Sequence, residues 1–458
     1  MLSSTGHTPW RPDLESQSEW GITRVLLRPG GGPVSGAPAA AVKLRIERSL
    51  LSNGLTLLVA EDHTTPTLCY MTYFRVGSRN ERPGITGISH LFEHMMFNGS
   101  ERFGPSEFDR LIESSGGHSN GSTWYDYTNY HEEVASENIE TVLELESDRM
   151  RSLLITPENL EQERSIVKEE RRLRTDNSTE GKVFEVLMSN AFTASPYRWP
   201  VVGWERDLDN ISIEDCREYF RTYYAPNNAI VVIVGDVDPS ETARLMEHHF
   251  GPIPRQAPPR AVVDAEPEQK GEKRIIHRMM AELPAIMAGF KAPSYADPRY
   301  AAMEVIRSIL TDGESSRLYR ALIYEKQMAT DAYAFFRPSI DTTLMVLYAQ
   351  AKQETRVEDL ESALEEVLAG LTSGGVTAEE VLKARNQIRS EVVREMKDCA
   401  GTAERIGFFE LLTGDHDQMN AMLEKVDAVT PEDVTRAARE FLVPDRRTVV
   451  TLIPESRP

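Results

Sequence analysis

The sequence predicts an α+β protein built from a duplicated unit. Its 458 residues exceed what one hydrophobic core organises, so two or more domains are expected. Its apolar residues follow the two-residue period of strands in some stretches and the 3.6-residue period of helices in others. A third observation is a repeat. "SIEDCREYFRTYYAPNNAIVVIVG", from Ser212, aligns without gaps on "TPEDVTRAAREFLVPDRRTVVTLI", from Thr430, at an offset of 218 residues. Each copy reads as a capped helix, a turn holding a proline (Pro226, Pro444) and a β-branched strand.

Along the chain, residues 1–42, with "RPGGGPVSGAPAAA", read as a flexible tail. "GLTLLVAED" and "TLCYMTYFRVGS" read as strands. "SNGSTWYDYTNYHEEV", Ser119 to Val134, alternates polar with aromatic or β-branched residues and reads as another strand. "TPENLEQERSIVKEERR" opens with a good N-cap, Thr156, and with Pro157 at the first helical position. The proline-rich "GPIPRQAPPRAVVDAEPEQKGEK", Gly251 to Lys273, reads as a linker. Beyond it, Val357, Leu360, Leu364, Val367 and Leu368 share one helical face. The expected organisation is therefore a tail over 1–42 and two similar domains, 43–260 and 261–458.

Composition narrows the function. A formal charge of -21, from 51 basic and 72 acidic residues, argues against nucleic acid as a partner. Three widely spaced cysteines, Cys69, Cys216 and Cys399, suggest neither a disulfide framework nor a thiolate metal cluster. No apolar run reaches membrane-spanning length, and the first residues lack a signal-peptide pattern, so a cytoplasmic location is expected, with a periplasmic one if the start is misassigned.

The chemistry concentrates in "HLFEHMMF", His90 to Phe97. On a helix His90 and His94 project from one face, one turn apart, where two imidazoles can reach a single Zn2+. Glu93 lies beside them, placed as a base. A catalytic zinc takes three protein ligands and leaves one position for water. The helix after Thr156 offers the third, because Glu163, Val167 and Glu170 fall on one face at i, i+4 and i+7.

These words and spacings resemble the pitrilysin-type (M16, inverzincin) metallopeptidases, in particular the short two-domain branch related to mitochondrial processing peptidase. The resemblance rests on His-x-x-Glu-His, the 76 residues from His94 to Glu170, and the surrounding "FRVGSRNERPGITGISHLFEHMMFNGS", "ERSIVKEE", "PYRWPVVGW" and "YYAPNNAIVVIVGD". It implies two homologous domains, each a mainly antiparallel sheet packed by helices, in a LuxS/MPP-like metallohydrolase fold. It further implies one zinc per chain on His90, His94 and Glu170, with Glu93 as general base and Glu163 as a supporting acid. Asn120 matches a substrate-binding asparagine, on a strand whose edge takes an extended peptide. His118 and His131 read as polar loop or surface residues instead of ligands.

The expected activity is zinc-dependent hydrolysis of short or unfolded polypeptides, the alternative being a non-catalytic assembly subunit of the same fold. One departure matters. Complete family members carry an Arg and a Tyr seven residues apart in the second domain. In "YEKQMATDAY" Tyr324 and Asp331 occupy those positions, and Arg317 and Tyr333 have the wrong spacing. This points to a heterodimer with a homologous subunit that carries the pair, or to a homodimer.

Overall fold

Two sheets with the same strand order organise the chain, and the order follows from the repeat. The computed structural model describes residues 44–263 and 266–455, so the expected tail lies outside the described residues.

The first half opens with β1 (Ile46–Leu50), β2 (Thr56–Glu61), β3 (Thr67–Phe74), α1 (Ile88–Met95) and α2 (Glu107–Ser114). It continues with β4 (His118–Thr123), β5 (Thr128–Ala135), α3 (Ile139–Ser152), α4 (Pro157–Arg171) and α5 (Thr179–Ala191). It closes with α6 (Glu205–Asn210), α7 (Ile213–Tyr223), β6 (Ala229–Gly235) and α8 (Pro239–Phe250). The second half runs through β7 (Lys273–Met280), β8 (Ala285–Ala292), α9 (Tyr300–Thr311), β9 (Ala329–Phe335) and β10 (Thr343–Ala351). Five helices and a strand follow: α10 (Val357–Thr372), α11 (Ala378–Glu395), α12 (Cys399–Thr413), α13 (Gln418–Ala428), α14 (Pro431–Phe441) and β11 (Arg447–Glu455).

The first sheet is ordered β1-β2-β6-β3-β5-β4 and the second β7-β11-β8-β10-β9. Apart from the extra β1, the two orders are the same. In each, the strand that ends the repeat pairs parallel with the first strand of the common order (β2 with β6, β7 with β11), and the other ladders are antiparallel. Both repeat copies begin with a capping box, Ser212 with Asp215 and Thr430 with Asp433, which satisfies the first backbone N–H groups of α7 and α14. The β6 segment "AIVVIVG" is buried throughout, as a central strand covered on both faces must be.

What covers those faces is an exchange. Helix α12 of the second half packs on β3 and β6 of the first sheet, and α5 of the first half packs on β8 and β11 of the second. The approach is close. A Cβ on Gly407 of α12 would fall 2.4 Å from the Tyr73 ring on β3, so only glycine fits there. Residues of alternate register on β2, β3 and β6 (Leu58, Met71, Val232) thus join one core with the second half, while their neighbours (Leu57, Tyr70, Val231) face α1, α3, α7 and α8.

The expected strand from Ser119 to Val134 is instead a hairpin, β4 and β5 joined by Trp124–Tyr127. Asp126 explains the bend. Its buried carboxylate accepts from the Tyr197 hydroxyl at 2.7 Å and pairs with Arg79 at 3.3 Å, contacts that a straight strand would not place inside.

Candidate metal centre

Helix α1 begins where the backbone turns left-handed at Gly87 (φ 88°). A side chain there would strike the Val202 carbonyl oxygen at 2.5 Å. The unpaired N–H groups of the first turn are taken by the buried Glu81 carboxylate, which accepts from Gly87 N at 2.8 Å and Ser89 N at 2.9 Å. Burial outweighs these bonds and pushes the Glu81 carboxyl up to about 8. Ile88, Leu91, Phe92 and Met95 fill the core side of α1. His90, Glu93 and His94 are left on the other side, with the imidazole centroids 4.9 Å apart and the rings nearly perpendicular.

Helix α4 crosses α1. Thr156 caps it, its hydroxyl accepting from Asn159 N at 3.2 Å, and Pro157 occupies the first turn as expected. Leu160, Glu163 and Val167 are buried on its inner face. Glu170, seven residues on from Glu163, places Oε2 3.6 Å from His90 Nε2 and 3.3 Å from His94 Nε2. Glu163 meets the other ring nitrogen, Nδ1 of His94, at 3.4 Å and accepts from Asn98 Nδ2 at 2.9 Å. Arg174, in the turn after α4, pairs with Glu170 Oε1 at 2.6 Å.

The electrostatics are those of a pocket that favours a cation. Burial lowers the His90 pKa, against the pull of Glu170 and Glu93. Burial also works against a charged His94, but the Glu163 and Glu170 carboxylates prevail and carry it up to about 10. For Glu170 burial opposes ionisation, yet His90, His94 and Arg174 hold it down at about 2. Within this centre, two buried atoms lack a hydrogen-bond partner, His90 Nδ1 and Glu93 Oε2.

This donor set fits zinc. Bonds of ~2.0–2.2 Å at tetrahedral angles put ligand atoms about 3.4 Å apart, close to the separations between Glu170 Oε2 and the two Nε2 atoms. Two imidazoles and one carboxylate are a borderline set that suits Zn2+ better than Ca2+ or Mg2+.

The hairpin closes one side. On β4 it is Gly121 that faces the centre: a Cβ there would lie 3.2 Å from Glu93 Cγ and 3.1 Å from the Tyr130 ring. Asn120, opposite His131 in the ladder, therefore lies on the other face of β4, with its Oδ1 accepting from Gly121 N at 2.9 Å. Among the described residues β4 is the last strand of its sheet, so one row of its backbone groups is unpaired by the sheet. His118 and His131 sit on β4 and β5 and not in loops.

Two family profiles match this chain: "Insulinase (Peptidase family M16)" over residues 56–203 and "Peptidase M16 inactive domain" over residues 210–388. The chain belongs to peptidase family M16. This M16 chain is similar to Zinc protease PqqE of Helicobacter pylori, 28% identical over 439 residues, which covers 95% of this chain and 98% of that protein. It is also similar to the Mitochondrial-processing peptidase subunit beta of Lentinula edodes, 27% identical over 413 residues, covering 86% and 87%. Among solved structures, the crystal structure of a protease from Helicobacter pylori superposes with a TM-score of 0.86 at 27% identity, spanning 90% of this chain and all of that one. The expected M16 membership and α+β architecture are thus both found, and no helix among the described residues is long and apolar enough to cross a membrane.

Arg317 and Tyr333, which lie near the second-half positions but lack the pair's spacing, are engaged by other residues. Arg317 binds Glu380 at 2.8 Å and the Gly375 carbonyl at 2.7 Å, and the Tyr333 hydroxyl donates to Glu180 of α5. Tyr324 is largely exposed. Sequence reasoning missed Glu81, Asn98 and Arg174. Arg174 carried a readable signal, four residues after Glu170 on a helical period. Glu81 and Asn98 carried none, since they act across loops.

Proposed function

We propose that this chain is a zinc-dependent endopeptidase acting on short or unfolded polypeptides. His90, His94 and Glu170 would hold one zinc ion, with Glu93 as general base. The observation that carries this reading is the convergence of two imidazole Nε2 atoms and one Glu170 oxygen, from separate helices, beside a buried acceptor on Glu93 that has no donor. When bound, zinc supplies Lewis acidity, polarising the scissile carbonyl and making water a nucleophile near neutral pH.

The chain's own groups do the rest. Glu93 takes the proton of the attacking water on its carboxylate and returns it to the leaving amine nitrogen. Glu163 holds His94 by Nδ1 so that Nε2 faces the centre, and Asn98 in turn holds Glu163. Arg174 occupies the second oxygen of Glu170. The free edge of β4 would take an extended peptide as an added strand, with Gly121 leaving room above Glu93 and Asn120 contributing to binding from the outer face.

The two halves would be homologous domains, 43–260 and 261–458. The diversion of Arg317 and Tyr333 to other partners supports a need for a homologous subunit that supplies oxyanion donors, in a heterodimer, with a homodimer as the alternative assembly.

Glu93→Gln tests the reading. It should keep the zinc and lower peptide hydrolysis roughly 10²–10⁴-fold. Zinc-loaded wild type that cleaves no peptide, alone or with a homologous partner, would favour the non-catalytic assembly subunit.

A further inference from the structure

The face of the β4–β5 hairpin turned away from the metal centre carries a second group of ligating side chains, which the proposed hydrolysis does not use. His118 stands opposite Glu133 in the ladder, and His131 precedes Glu133 by two residues on β5, so the three side chains rise from one face. His118 Nε2 lies 2.9 Å from Glu133 Oε1. The two imidazole centroids are 6.2 Å apart with the rings perpendicular, and one donor atom from each of the three residues lies within 4.8 Å of the other two.

A surface ion pair accounts for His118 and Glu133 alone. It leaves unexplained why a second imidazole shares the cluster. His131 is half-buried, with its position fixed by β3, whereas the His118 side chain is 66% exposed and free to adjust. Small χ rotations of His118 and Glu133 would bring the three donors to the roughly 3.4 Å spacing that bonds of ~2.0–2.2 Å demand.

We propose that His118, His131 and Glu133 form an accessory zinc site on the outer face of the hairpin. Two imidazoles and one carboxylate select a borderline transition ion over Mg2+ or Ca2+, and three protein ligands leave a position for water or a substrate donor. The site binds more weakly than the first, because His118 and Glu133 are more exposed than His90, His94 and Glu170. Asn120 is opposite His131 and two residues from His118, so an ion here sits at the strand edge next to that side chain.

The test is zinc titration of the full chain, followed by equilibrium dialysis and metal analysis, and it is independent of peptidase activity. Wild type should bind one zinc tightly and a second more weakly. His118→Gln/His131→Gln should bind only the tight one, and His90→Gln should retain only the weak one. If the double variant fails to fold, His118→Gln alone, at an exposed position, should weaken the second binding at least about tenfold. Wild type saturating at a single equivalent that His90→Gln abolishes, or a second equivalent unchanged by His118→Gln in folded protein, would overturn the site. Loss of the tight zinc alone in wild type would instead count against the catalytic assignment.

Discussion

The helices α1 and α9 occupy the same place in the two halves, each following the central antiparallel strand of its sheet, β3 or β8. At its third, sixth and seventh positions α1 carries His90, Glu93 and His94, whereas α9 carries the buried Ala302, Val305 and Ile306. The partner helices show the same contrast. Seven residues after its threonine cap α4 has Glu163 and α11 has Ala384, yet fourteen residues after it both have a glutamate, Glu170 and Glu391. Glu391 faces Arg307, which also meets Glu304 at 2.7 Å and Asp312 at 2.8 Å. On the function proposed above, the first half shapes a pocket for a cation that must arrive from solution. The second carries its cation on its own backbone, as an arginine. One scaffold thus supports the proposed reactive site or a structural ion cluster, and a few side chains decide which.

Removing the arginine should break that comparison most visibly. Arg307→Met strands Glu304, Asp312 and Glu391 and should cost about 3–5 kcal/mol, read as a lower urea midpoint. A chelator should leave that loss unchanged, because the cluster uses no metal. Next in size, Glu163→Gln should lower kcat about 10–100-fold while the chain stays folded, because His94 loses the carboxylate that orients it. The corresponding position in the second half, Ala384, should tolerate Gly or Ser with no change in kcat.

A smaller effect follows from Glu81. Its folded-state pKa of about 8 lies above the ordinary carboxylate value of 4.5, so the folded chain keeps a proton that the unfolded chain has lost. That stability is present in full below about pH 4.5 and is lost as pH rises toward 8. Metal-free protein should therefore melt lower at pH 8 than at pH 5, and Glu81→Gln should shrink the difference. Smallest of all, Arg174→Gln should change kcat by no more than about tenfold, since Arg174 meets Glu170 at its Oε1, away from the histidines, and is itself half-exposed.

Local signals were legible before the structure. The i, i+4 histidines, the Thr-Pro start of α4, the seven-residue step from Glu163 to Glu170 and the duplicated capped helix and strand all depend on neighbours a few residues away. What escaped depends on distant pairings. Nothing in "SNGSTWYDYTNYHEEV" announces that Asp126 will be buried against Tyr197 and Arg79, so the hairpin read as one strand. With the register unknown, Asn120 and not Gly121 was singled out, although Gly121 is the residue facing Glu93. The exchange of α5 and α12 between sheets leaves only a faint mark, a glycine at 407 inside an apolar helix. The cluster of Arg307 with Glu304, Asp312 and Glu391 likewise joins helix α9 to α11, a pairing that no neighbouring residue announces.

The most direct measurement is anomalous scattering across the zinc edge from crystals of the zinc-loaded chain. The account predicts the strongest peak within bonding distance of His90 Nε2, His94 Nε2 and a Glu170 oxygen, with Glu93 near it but unbound. No peak there, or a peak with Glu170 turned outside bonding distance, would contradict it.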